Sequence, residues 1–528
     1  MRNFSVLSLP LLAIWLAFER DIPMTQETES EWAVSRSKRM EVRSPETGIE
    51  VEPIQVSERR VQDGSRLWEL EAHQTRPLFG VGREKESIPM DRVGSDELVD
   101  EVVSQISEEL VGTLTPKELG ELRGFIARSI SPEAGEQAWV CWGEDVSPEK
   151  AMAFHEAEKL VGFSGSGYSL FANQFLGSGK WSRTATDGFS SSGQGAPTVV
   201  TWSIVPDGTS TPGGTGQSNS SSNFRSWMAS IYGGSTTGPA SEQVWFEIFE
   251  SAFEEMAESC GVILRYEEND DGGTIRSSNI GFLGTRGDIR IGARAIDGNS
   301  GTLAFAFAPN RGDIVFDSND STFDNTSSSS LRLFNVIAHE LGHSLGLAHV
   351  CPLTRSKLME PLLATNFRGP RFDEFQSLQR LYGDRLEVDG SQRDNDSPGA
   401  ASLIEYEVDR LTTISRLSID DNSDVDYYRI EASNRQILTV GLNPGEGTYL
   451  EGESLASGCS VGEDFDSDAI HNLSIELFGS DGSTLLASAN SESAGENEEV
   501  TDFDIPDDGS YFIKVTGCLL YTSPSPRD

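Results

Sequence analysis

The residues best suited to chemistry lie in the stretch AHELGHSLGLAH, which holds three of the chain's six histidines. On a helix, His339 and His343 are four residues apart and project from one face, so both imidazoles can bind one Zn²⁺. Glu340 follows the first histidine, where a carboxylate reaches a water beside the metal without being a ligand. A glycine can then end the helix and return His349 as a third ligand. Three protein ligands and an open position predict a catalytic zinc site, since a structural site is closed by a fourth.

The alternative is a helix whose histidines are only packed or solvent-exposed. A bare HExxH pattern leaves the two interpretations evenly matched, because it also arises by chance. Here the glycine and the third histidine extend the pattern to HExxHxxGxxH, which is far more specific. We therefore prefer the zinc interpretation.

The extended motif resembles that of the metzincin metallopeptidases, and within them the matrixins. Downstream, KLMEP resembles the family's Met-turn, in which Met359 would form a hydrophobic floor beneath the zinc ligands rather than be an ordinary core methionine. FDEFQSLQRLYG resembles the family's C-terminal helix, with Asp373 and Glu374 as paired acids that brace the active site. Upstream, DGNSGTLAFAFAP and GDIVFDSND resemble its metal-binding loop and edge strand. The resemblance covers residues 180–387, approximately.

The resemblance implies hydrolysis of peptide bonds. Zinc would polarise the scissile carbonyl and acidify a water, and Glu340 would take the proton and pass it to the leaving amine. The substrate would lie extended along the edge strand as an added β-strand. Specificity walls follow the Met-turn, where matrixins often have Pro-x-Tyr; a leucine replaces the tyrosine here, so the S1′ preference is open. The substrate-binding residues implied are Leu303, Ala304, Phe305, Pro361 and Leu363.

Matrixins usually hold a second, structural zinc through three histidines and an aspartate upstream of the catalytic helix. In this chain those four positions are occupied by Arg290, Gly292, Phe305 and Val315. The remaining histidines lie outside the catalytic region, at His73, His155 and His471. We therefore expect no second zinc, and we expect apolar packing around Phe305 and Val315 in its place.

The neighbouring calcium site of the family is matched more closely. Its carboxylate ligands and loop oxygens correspond to Asp297, Gly298, Ser300, Thr302, Asp317 and Asp320. Oxygen-only ligands with several carboxylates suit a hard cation such as Ca²⁺. The alternative is an acidic, solvated loop, which is common in so acidic a protein.

The charge balance excludes some classes of partner. The chain carries 84 acidic and 41 basic residues, a formal net charge of −43, so its surface repels nucleic acid and anionic membranes. Residues 1–18 contain an arginine followed by an apolar run of signal-peptide length, which is short for a membrane span. We predict a signal peptide there, export, and no membrane span in the mature chain. The alternatives are a mis-assigned start upstream of Met24 and an uncleaved anchor.

Residues 19–170 are acidic and have helical periodicity, as in SDELVDEVVSQISEELVG, and we interpret them as a pro-region. Matrixin propeptides often contain PRCGxPD, whose cysteine ligates the zinc, and this motif is absent. Cys141 in AWVCWGED is the cysteine of this region. We expect a buried structural cysteine there rather than a latency thiol, with the region blocking the cleft by other means. If the chain is exported, Cys260 and Cys351 could pair.

Residues 175–390 predict an α+β catalytic domain. The strand TVVTWSIV, the amphipathic helix SEQVWFEIFESAFEEMAESCG and four further strands precede the zinc-binding helix. We expect the amphipathic helix to bury a stripe that begins at Val244. The metzincin resemblance implies a twisted mixed sheet with the active-site helix packed on it.

The C-terminal part of the sequence predicts a second domain made of strands. A polar linker at 391–400 leads to a β-sandwich at 401–517. DDNSDVDYYRIEA and DGSYFIKVTG within it resemble bacterial pre-peptidase C-terminal domains. Residues 518–528, CLLYTSPSPRD, resemble translated sequencing-adapter read-through, which would leave the sandwich without its final strand. A natural Ser/Pro tail is the alternative.

The sequence thus predicts a secreted zinc endopeptidase, extracellular, at the cell surface or periplasmic, that acts as a monomer on proteins or peptides. The alternative from another class is a non-catalytic extracellular binding protein that retains the fold. Loss of Glu340 or His349 would favour that alternative, and both residues are present. A metzincin specialised for glycoproteins or cell-wall material is a further enzymatic alternative.

Overall fold

The structure is a computed structural model of the chain. It describes residues 12–20, 57–60, 66–69, 95–129, 138–161, 179–387 and 395–519, with short gaps at 190–192, 214–217, 276–279, 300, 421–422, 446–447, 453 and 456–457. Ile22–Arg92 form one compact unit, and Met1–Asp21 with Val93–Asp528 form the other. The larger unit begins with strand β1 (Leu12–Arg20). Within the smaller unit, β2 (Ser57–Arg60) and β3 (Arg66–Glu69) form an antiparallel hairpin.

Helices dominate the described part of the predicted pro-region, as its apolar periodicity indicates. They are α1 (Ser95–Gln105), α2 (Glu108–Thr113), α3 (Pro116–Ser129) and α4 (Pro148–Leu160), and strand β4 (Ala138–Trp142) lies between α3 and α4. Pro148 suits the first turn of α4, because a helix leaves that N–H unbonded anyway. Ser147 caps this helix by accepting a hydrogen bond from the backbone N–H of Lys150.

A six-stranded mixed sheet forms the centre of the catalytic domain and confirms the α+β prediction. Its strands besides β4 are β7 (Thr198–Ile204), β10 (Val262–Tyr266), β11 (Ile289–Arg294), β12 (Thr302–Phe307) and β13 (Ile314–Asp317). The strand order is β10-β7-β11-β13-β12-β4; the first four strands run parallel, and β12 is antiparallel to both neighbours. Two small hairpins precede β10: β5 (Arg183–Thr184) with β6 (Gly188–Phe189), and β8 (Ser210–Thr211) with β9 (Ser220–Ser221).

The helices of this domain are α5 (Phe224–Tyr232), α6 (Phe246–Ala257), α7 (Ser327–Ser344) and α8 (Phe372–Tyr382), with short 3₁₀ turns at Ala240–Glu242 and Ser321–Asp324. The expectation that Val244 starts the buried stripe of α6 is wrong. Val244 is 66% exposed, because the helix begins only at Phe246 and the preceding turn buries Trp245 instead. Among the described residues, no helix is both long and apolar enough to cross a membrane.

The C-terminal domain is a β-sandwich, as predicted. One sheet has the order β15-β1-β17-β24 and the other β14-β16-β25-β22-β23. Their bounds, besides β1, are β14 (Ser402–Leu403), β15 (Thr412–Leu417), β16 (Val425–Ala432), β17 (Gln436–Asn443), β22 (His471–Phe478), β23 (Leu485–Ala489), β24 (Glu498–Asp504) and β25 (Gly509–Leu519). Both sheets supply the core, for example through Leu438 and Ile475. β25 enters the predicted artefact by two residues, and 520–528 lie outside the described residues.

Two hairpins and a 3₁₀ turn lie between β17 and β22. They are β18 (Thr448–Glu451) with β21 (Glu463–Asp466), β19 (Ser454–Leu455) with β20 (Gly458–Cys459), and the turn Asp468–Ile470. Cys459 forms a disulfide with Cys351 of the catalytic domain. The suggested pairing of Cys260 with Cys351 is therefore wrong: Cys260 stays a free, buried thiol just after α6, in the core of the catalytic domain.

β1 comes from the segment predicted to be the end of the signal peptide. It pairs antiparallel with β17 along its length and with β15 on its other side. Ile14 and Leu16 are buried in the core of the sandwich. A segment removed on export cannot also be the strand between β15 and β17, so cleavage and this pairing exclude each other.

Candidate active site

Three histidines converge at the C-terminal end of α7 and the turn after it. His339 and His343 lie one turn apart on α7, and Gly346, with φ of 109°, turns the chain so that His349 faces them. The Nε2 atom of His343 lies 3.0 Å from that of His339 and 3.2 Å from that of His349. All three side chains are buried. The structure therefore brings together the three residues predicted to bind zinc.

Two of these imidazoles are held through their other ring nitrogen by backbone. Nδ1 of His339 lies 2.7 Å from the carbonyl oxygen of Leu358, and Nδ1 of His343 lies 2.8 Å from that of Leu347. Because a carbonyl oxygen only accepts, Nδ1 donates and Nε2 presents its lone pair. Burial lowers the pKa of His339 and of His349 to about 3, and that of His343 well below its usual range. Neutral, converging imidazoles are the donors that zinc requires, so the residues fit this metal.

Glu340 lies on α7 between the two helical histidines. It is fully buried, and neither of its carboxylate oxygens has a hydrogen-bond partner among the described residues. Burial raises the pKa of this carboxyl group well above its usual range. A buried carboxylate without partners raises the free energy of the folded state, because buried polar groups are normally hydrogen-bonded. Its oxygens are therefore suited to accept hydrogen bonds from water or a substrate group. It is the residue that the sequence predicts as the general base.

The predicted Met-turn lies against α7. Met359 is 1% exposed, and a Cβ atom added to Gly342 would lie 2.5 Å from its Sδ atom. The thioether therefore touches α7 between His339 and His343. A flexible, polarisable side chain fills this irregular space well.

The paired acids of α8 hold this turn in place. Glu374 accepts a hydrogen bond from the backbone N–H of Met359 at 3.0 Å and another from that of Arg371 at 2.8 Å. Asp373 lies 3.5 Å from Nζ of Lys357. Burial, followed by the charge of Asp373, raises the pKa of Glu374 to about 7. The hydrogen bond between Glu374 and Met359 and the contact between Asp373 and Lys357 both connect α8 to the segment KLMEP.

The edge strand predicted to bind substrate is paired with another part of the chain. β4 runs antiparallel to β12, with Val140 opposite Phe305 and Cys141 opposite Ala304. Leu303 lies at a register irregularity of the same pairing. β4 therefore covers the three predicted substrate-binding residues of β12.

The opposite wall of the cleft contacts β4 as well. The backbone N–H of Trp142 donates to the carbonyl oxygen of Pro361 at 2.9 Å, and that of Leu363 donates to the carbonyl oxygen of Trp142 at 3.0 Å. β4 thus lies between the two walls that the sequence assigns to substrate, in the extended form of a bound peptide.

Alternate side chains of β4 point to the histidines. The ring of Trp139 stacks on His343, with centroids 5.2 Å apart and planes 8° from parallel, and meets His349 edge-on at 5.5 Å. The free thiol of Cys141 lies within 4.8 Å of a ring nitrogen of His339 and a carboxylate oxygen of Glu340. Cys141 is buried, as expected, yet it lies at the site rather than in a distant core.

Helix α4 contributes a carboxylate that the sequence analysis missed. Oε2 of Glu158 lies 3.0 Å from Nδ1 of His349 and 3.6 Å from Nδ1 of His155. Burial raises the pKa of Glu158 and lowers that of His155. The available signal was the stretch AMAFHEAEKL, in which charged residues interrupt a helix that is otherwise small and apolar.

The predicted calcium ligands lie in the loop before β12 and just after β13. The carboxylate of Asp317 accepts backbone hydrogen bonds of 2.7–3.0 Å from Ile296, Asp297, Gly298 and Asn319. Asp297 accepts one from Thr302, and burial raises its pKa to about 6. Among the described residues, one oxygen of Asp320 is buried without a hydrogen-bond partner. Ser300 lies outside the described residues.

A buried ion pair and apolar residues lie at the positions where the resemblance places a structural zinc. Arg290 is fully buried, and its Nε and Nη2 atoms lie 2.8 and 2.6 Å from the carboxylate of Asp270. Phe305 is opposite Val315 in the β12–β13 pair, and Gly292 is opposite Val315 in the β11–β13 pair. A guanidinium repels a metal cation, and the apolar side chains offer no ligand.

A mixed sheet beside a helix that ends in converging imidazoles agrees with the metzincin-type architecture that the sequence predicts. Comparison with known families agrees: residues 230–383 match the model described as Matrixin, and residues 424–517 match the Bacterial pre-peptidase C-terminal domain. The chain is therefore similar to matrixins in its catalytic region and to pre-peptidase C-terminal domains in its C-terminal region.

Curated proteins show the same similarity. The chain is 42% identical over 92 residues to a hatching enzyme of Paracentrotus lividus and 43% identical over 94 residues to neutrophil collagenase of Homo sapiens. It is 37% identical over 99 residues to matrix metalloproteinase-25 of Mus musculus. These alignments cover 16–17% of this chain and 15–19% of the relatives, so the chain spans less than a fifth of their length.

Proposed function

We propose that this chain is a secreted, zinc-dependent endopeptidase that hydrolyses peptide bonds in proteins or peptides. The observation that carries the proposal is the convergence of His339, His343 and His349 through Nε2 atoms 3.0 and 3.2 Å apart, beside the unpartnered carboxylate of Glu340. This set supplies three zinc ligands and one proton acceptor. The matrixin match over residues 230–383 supports the same activity.

The chemistry divides between the metal and the chain's own residues. His339, His343 and His349 would hold a zinc ion, which would supply a Lewis acid for the scissile carbonyl and for a water. Glu340 takes a proton from the attacking water and delivers it to the leaving amine, and no residue in the described part of the chain is hydrogen-bonded to its oxygens. Met359 and Glu374 keep the turn packed on α7, so the ligating imidazoles hold their positions.

The substrate would bind as an extended strand between β12 and the segment from Pro361 to Leu363. Support comes from β4, which makes backbone hydrogen bonds to both walls in this position. Backbone pairing provides affinity that does not depend on sequence, and the side chains that point to the pocket provide specificity.

We further propose that residues 19–170 act as an inhibitory pro-region. One strand edge pairs with one strand, so a substrate cannot pair with β12 while β4 does. Trp139 covers two of the histidines, and Cys141 places its thiol near His339 and Glu340. Proteolysis within residues 162–178, a Gly- and Ser-containing stretch, would detach α4 and β4 and open the cleft.

The metal content proposed is one zinc, a calcium ion at the loop of Asp297, Asp317 and Asp320, and no second zinc. The oxygen of Asp320 that is buried without a partner among the described residues supports calcium, and the Arg290–Asp270 ion pair speaks against further zinc. Export and a monomeric state are part of the same proposal. The Cys351–Cys459 disulfide supports export, since such bonds persist in oxidising compartments.

The test is cleavage of a mixed peptide library by the full chain after limited proteolysis within residues 162–178, so that β1 stays in the β-sandwich and the disulfide is kept. Glu340→Ala, a zinc chelator, and the exposed control Glu242→Ala would be run in parallel in calcium buffer. We expect cleavage that is lost with Glu340→Ala and with the chelator and is retained in the control. No cleavage by a folded, zinc-loaded chain would favour a non-catalytic binding protein.

A further inference from the structure

A glutamate that follows β4 lies between two arginines of the catalytic domain. Glu144 comes two residues after the end of β4, and Oε1 of its carboxylate accepts a hydrogen bond from Nη2 of Arg332. Its Oε2 accepts one from the hydroxyl of Thr365 at 3.3 Å, and its backbone carbonyl oxygen accepts one from Nη2 of Arg355. The side chain and the backbone of Glu144 are therefore each bound by a guanidinium group.

Both arginines are positioned by elements that do not belong to the proposed pro-region. Arg332 lies on α7, the helix that carries two of the candidate zinc ligands. Arg355 lies in the segment before the Met-turn, which the buried carboxylate of Glu360 organises. That carboxylate accepts hydrogen bonds from the backbone N–H of Arg355, from that of Ser356 at 2.7 Å and from that of Lys357 at 3.0 Å. The backbone positions of the two arginines therefore do not depend on β4.

β4 crosses the cleft in one defined direction. It runs antiparallel to β12 on one side, and the bridge between Trp142 and Leu362 is parallel on the other. A substrate strand that makes the same backbone hydrogen bonds runs in the same direction. The thiol of Cys141 lies within 4.8 Å of a carboxylate oxygen of Glu340, so the scissile bond lies immediately before or after the residue in the position of Cys141. The position of Glu144 is then the fourth or the third residue after that bond.

The groups around this position suit an acidic side chain. A guanidinium donates directed hydrogen bonds to a carboxylate and repels a lysine or an arginine. We propose that Arg332 and Thr365 form a subsite that selects substrates with glutamate or aspartate at the third or fourth position after the scissile bond, and that Arg355 anchors the backbone of the same residue. The proposal rests on the peptidase function above and names the class of substrate that the same cleft takes.

The overall charge of the chain opposes this preference. Its formal net charge of −43 repels acidic peptides at long range, but physiological salt screens that repulsion within about 8 Å. The side chains of Glu144 and Arg332 are 33% and 26% exposed, so the contact between them is screened less. We therefore expect the local contact to decide the preference.

The first test compares kcat/KM on matched fluorogenic peptides that carry Glu, Gln or Lys at the third or at the fourth position after the cleaved bond. The enzyme is the full chain after limited proteolysis within residues 162–178, and mass spectrometry of the products locates the cleaved bond. The parent should cleave the Glu peptide about tenfold faster than the Gln peptide, because only glutamate makes a charge-assisted contact with Arg332. The Lys peptide should be cleaved most slowly.

The two arginines should differ in what their replacement changes. Arg332→Gln should cleave the Glu and Gln peptides equally well, and Arg332→Glu should prefer the Lys peptide. Arg355→Gln should raise KM for all three peptides and keep their order, since Arg355 contacts backbone. Arg265→Gln is the control: Arg265 is exposed on β10, the opposite edge strand of the sheet, and its variant should keep the parent's preference.

The second test measures binding and does not depend on catalysis. Labelled peptides with the sequence of residues 138–147 are titrated into the same proteolysed chain carrying Glu340→Ala, and fluorescence anisotropy gives Kd. Glu144→Gln in the peptide should weaken binding about tenfold. Asp145→Asn removes the same charge from the next, exposed residue and should bind like the parent peptide. β4 of the chain competes equally with every peptide, so the ratios of Kd report the preference.

The two tests separate this subsite from the peptidase function. Equal cleavage of the Glu and Gln peptides, together with equal Kd for the peptides with and without Glu144→Gln, would overturn the subsite and leave the peptidase function intact. Tighter binding of the Glu144 peptide without cleavage of any peptide would support the subsite and overturn the peptidase function. Neither binding nor cleavage would overturn both.

Discussion

Oε2 of Glu158 lies 3.0 Å from Nδ1 of His349, although the two residues are 191 positions apart. A carboxylate in this position accepts the ring N–H of a ligating histidine, fixes its tautomer and raises its basicity. Glu158 belongs to α4, within the proposed pro-region. The latent and activated forms would therefore differ in what holds the third zinc ligand.

Glu158→Gln should weaken zinc binding by the intact chain about 10–100-fold, because an amide orients and polarises the imidazole less than a carboxylate does. Competition with a chromogenic chelator measures this affinity. Glu149→Gln, an exposed change on the same helix, is the control and should bind zinc like the parent. Equal zinc affinity in the two variants would show that Glu158 does not position His349.

Cys141→Ser should raise the peptidase activity of the uncleaved chain, because it removes the thiol near His339 while leaving β4 paired with β12. We expect an increase of about tenfold, which corresponds to about 1.4 kcal/mol of lost pro-region binding. Initial rates on a fluorogenic peptide measure it. Cys260→Ser is the matched control, since Cys260 is also a free, buried cysteine. Activation by both substitutions, or by neither, would contradict a role for the Cys141 thiol in latency.

Gly342→Ala should destabilise the catalytic domain by about 1–3 kcal/mol, because the new Cβ would lie 2.5 Å from Sδ of Met359. Reduced zinc content should accompany the loss, since the same contact supports the helix between His339 and His343. Thermal unfolding and metal analysis measure the two effects. Gly120→Ala in α3 is the control: a Cβ there meets nothing within 4 Å, so helix propensity should make it neutral or stabilising. If Gly342→Ala is as stable as the parent, Met359 does not support α7 from below.

Asp313 should make stability depend on pH. Burial raises its pKa to about 7, against the lowering effects of Arg311 and Arg290. An acid whose pKa is higher in the folded state stabilises folding most at low pH, and this contribution declines as pH rises from about 4 to about 7. Asp313→Asn removes the dependence, so it should gain stability relative to the parent by about 1–4 kcal/mol between pH 5 and pH 8.

Urea unfolding of parent and Asp313→Asn at both pH values measures this difference. Asp504→Asn, at an exposed position, should show no such change. A stability difference between Asp313→Asn and the parent that is the same at the two pH values would mean that Asp313 is ionised in both.

Removal of residues 1–20 should destabilise the β-sandwich, because Ile14 and Leu16 leave its core and each contributes about 1.5–3 kcal/mol by burial. Calorimetry of the full and the shortened chain measures the change. If both unfold at the same temperature, β1 is dispensable, and the segment is free to serve as a cleaved signal peptide.

The sequence was sufficient for the parts of the site that are close together along the chain. His339, His343 and His349 lie within a dozen residues, and Met359 follows ten residues later, so local spacing defines their geometry. Helical periodicity likewise predicts α1 to α3, and alternation predicts most strands of the β-sandwich.

Such patterns do not predict contacts between segments that are far apart in the sequence. Glu158 is one acidic residue among many until tertiary packing places it at His349, and Trp139 gives no sign of stacking on His343. The disulfide partner of Cys351 depends on where a hairpin of the β-sandwich packs against the catalytic domain. The exposure of Val244 depends on a turn that delays the start of α6 by two residues. Periodicity reports which face is apolar, but it does not report what that face meets.

The Cys351–Cys459 bond joins the two domains by a route independent of the linker. A protease that cut residues 388–394 would leave two polypeptides that remain one covalent particle. Such a cut would be invisible on a non-reducing gel and would appear as two bands only after reduction. Shedding of the C-terminal domain therefore needs both hydrolysis and thiol exchange, and in an oxidising medium the domain would travel with the peptidase as a two-chain protein.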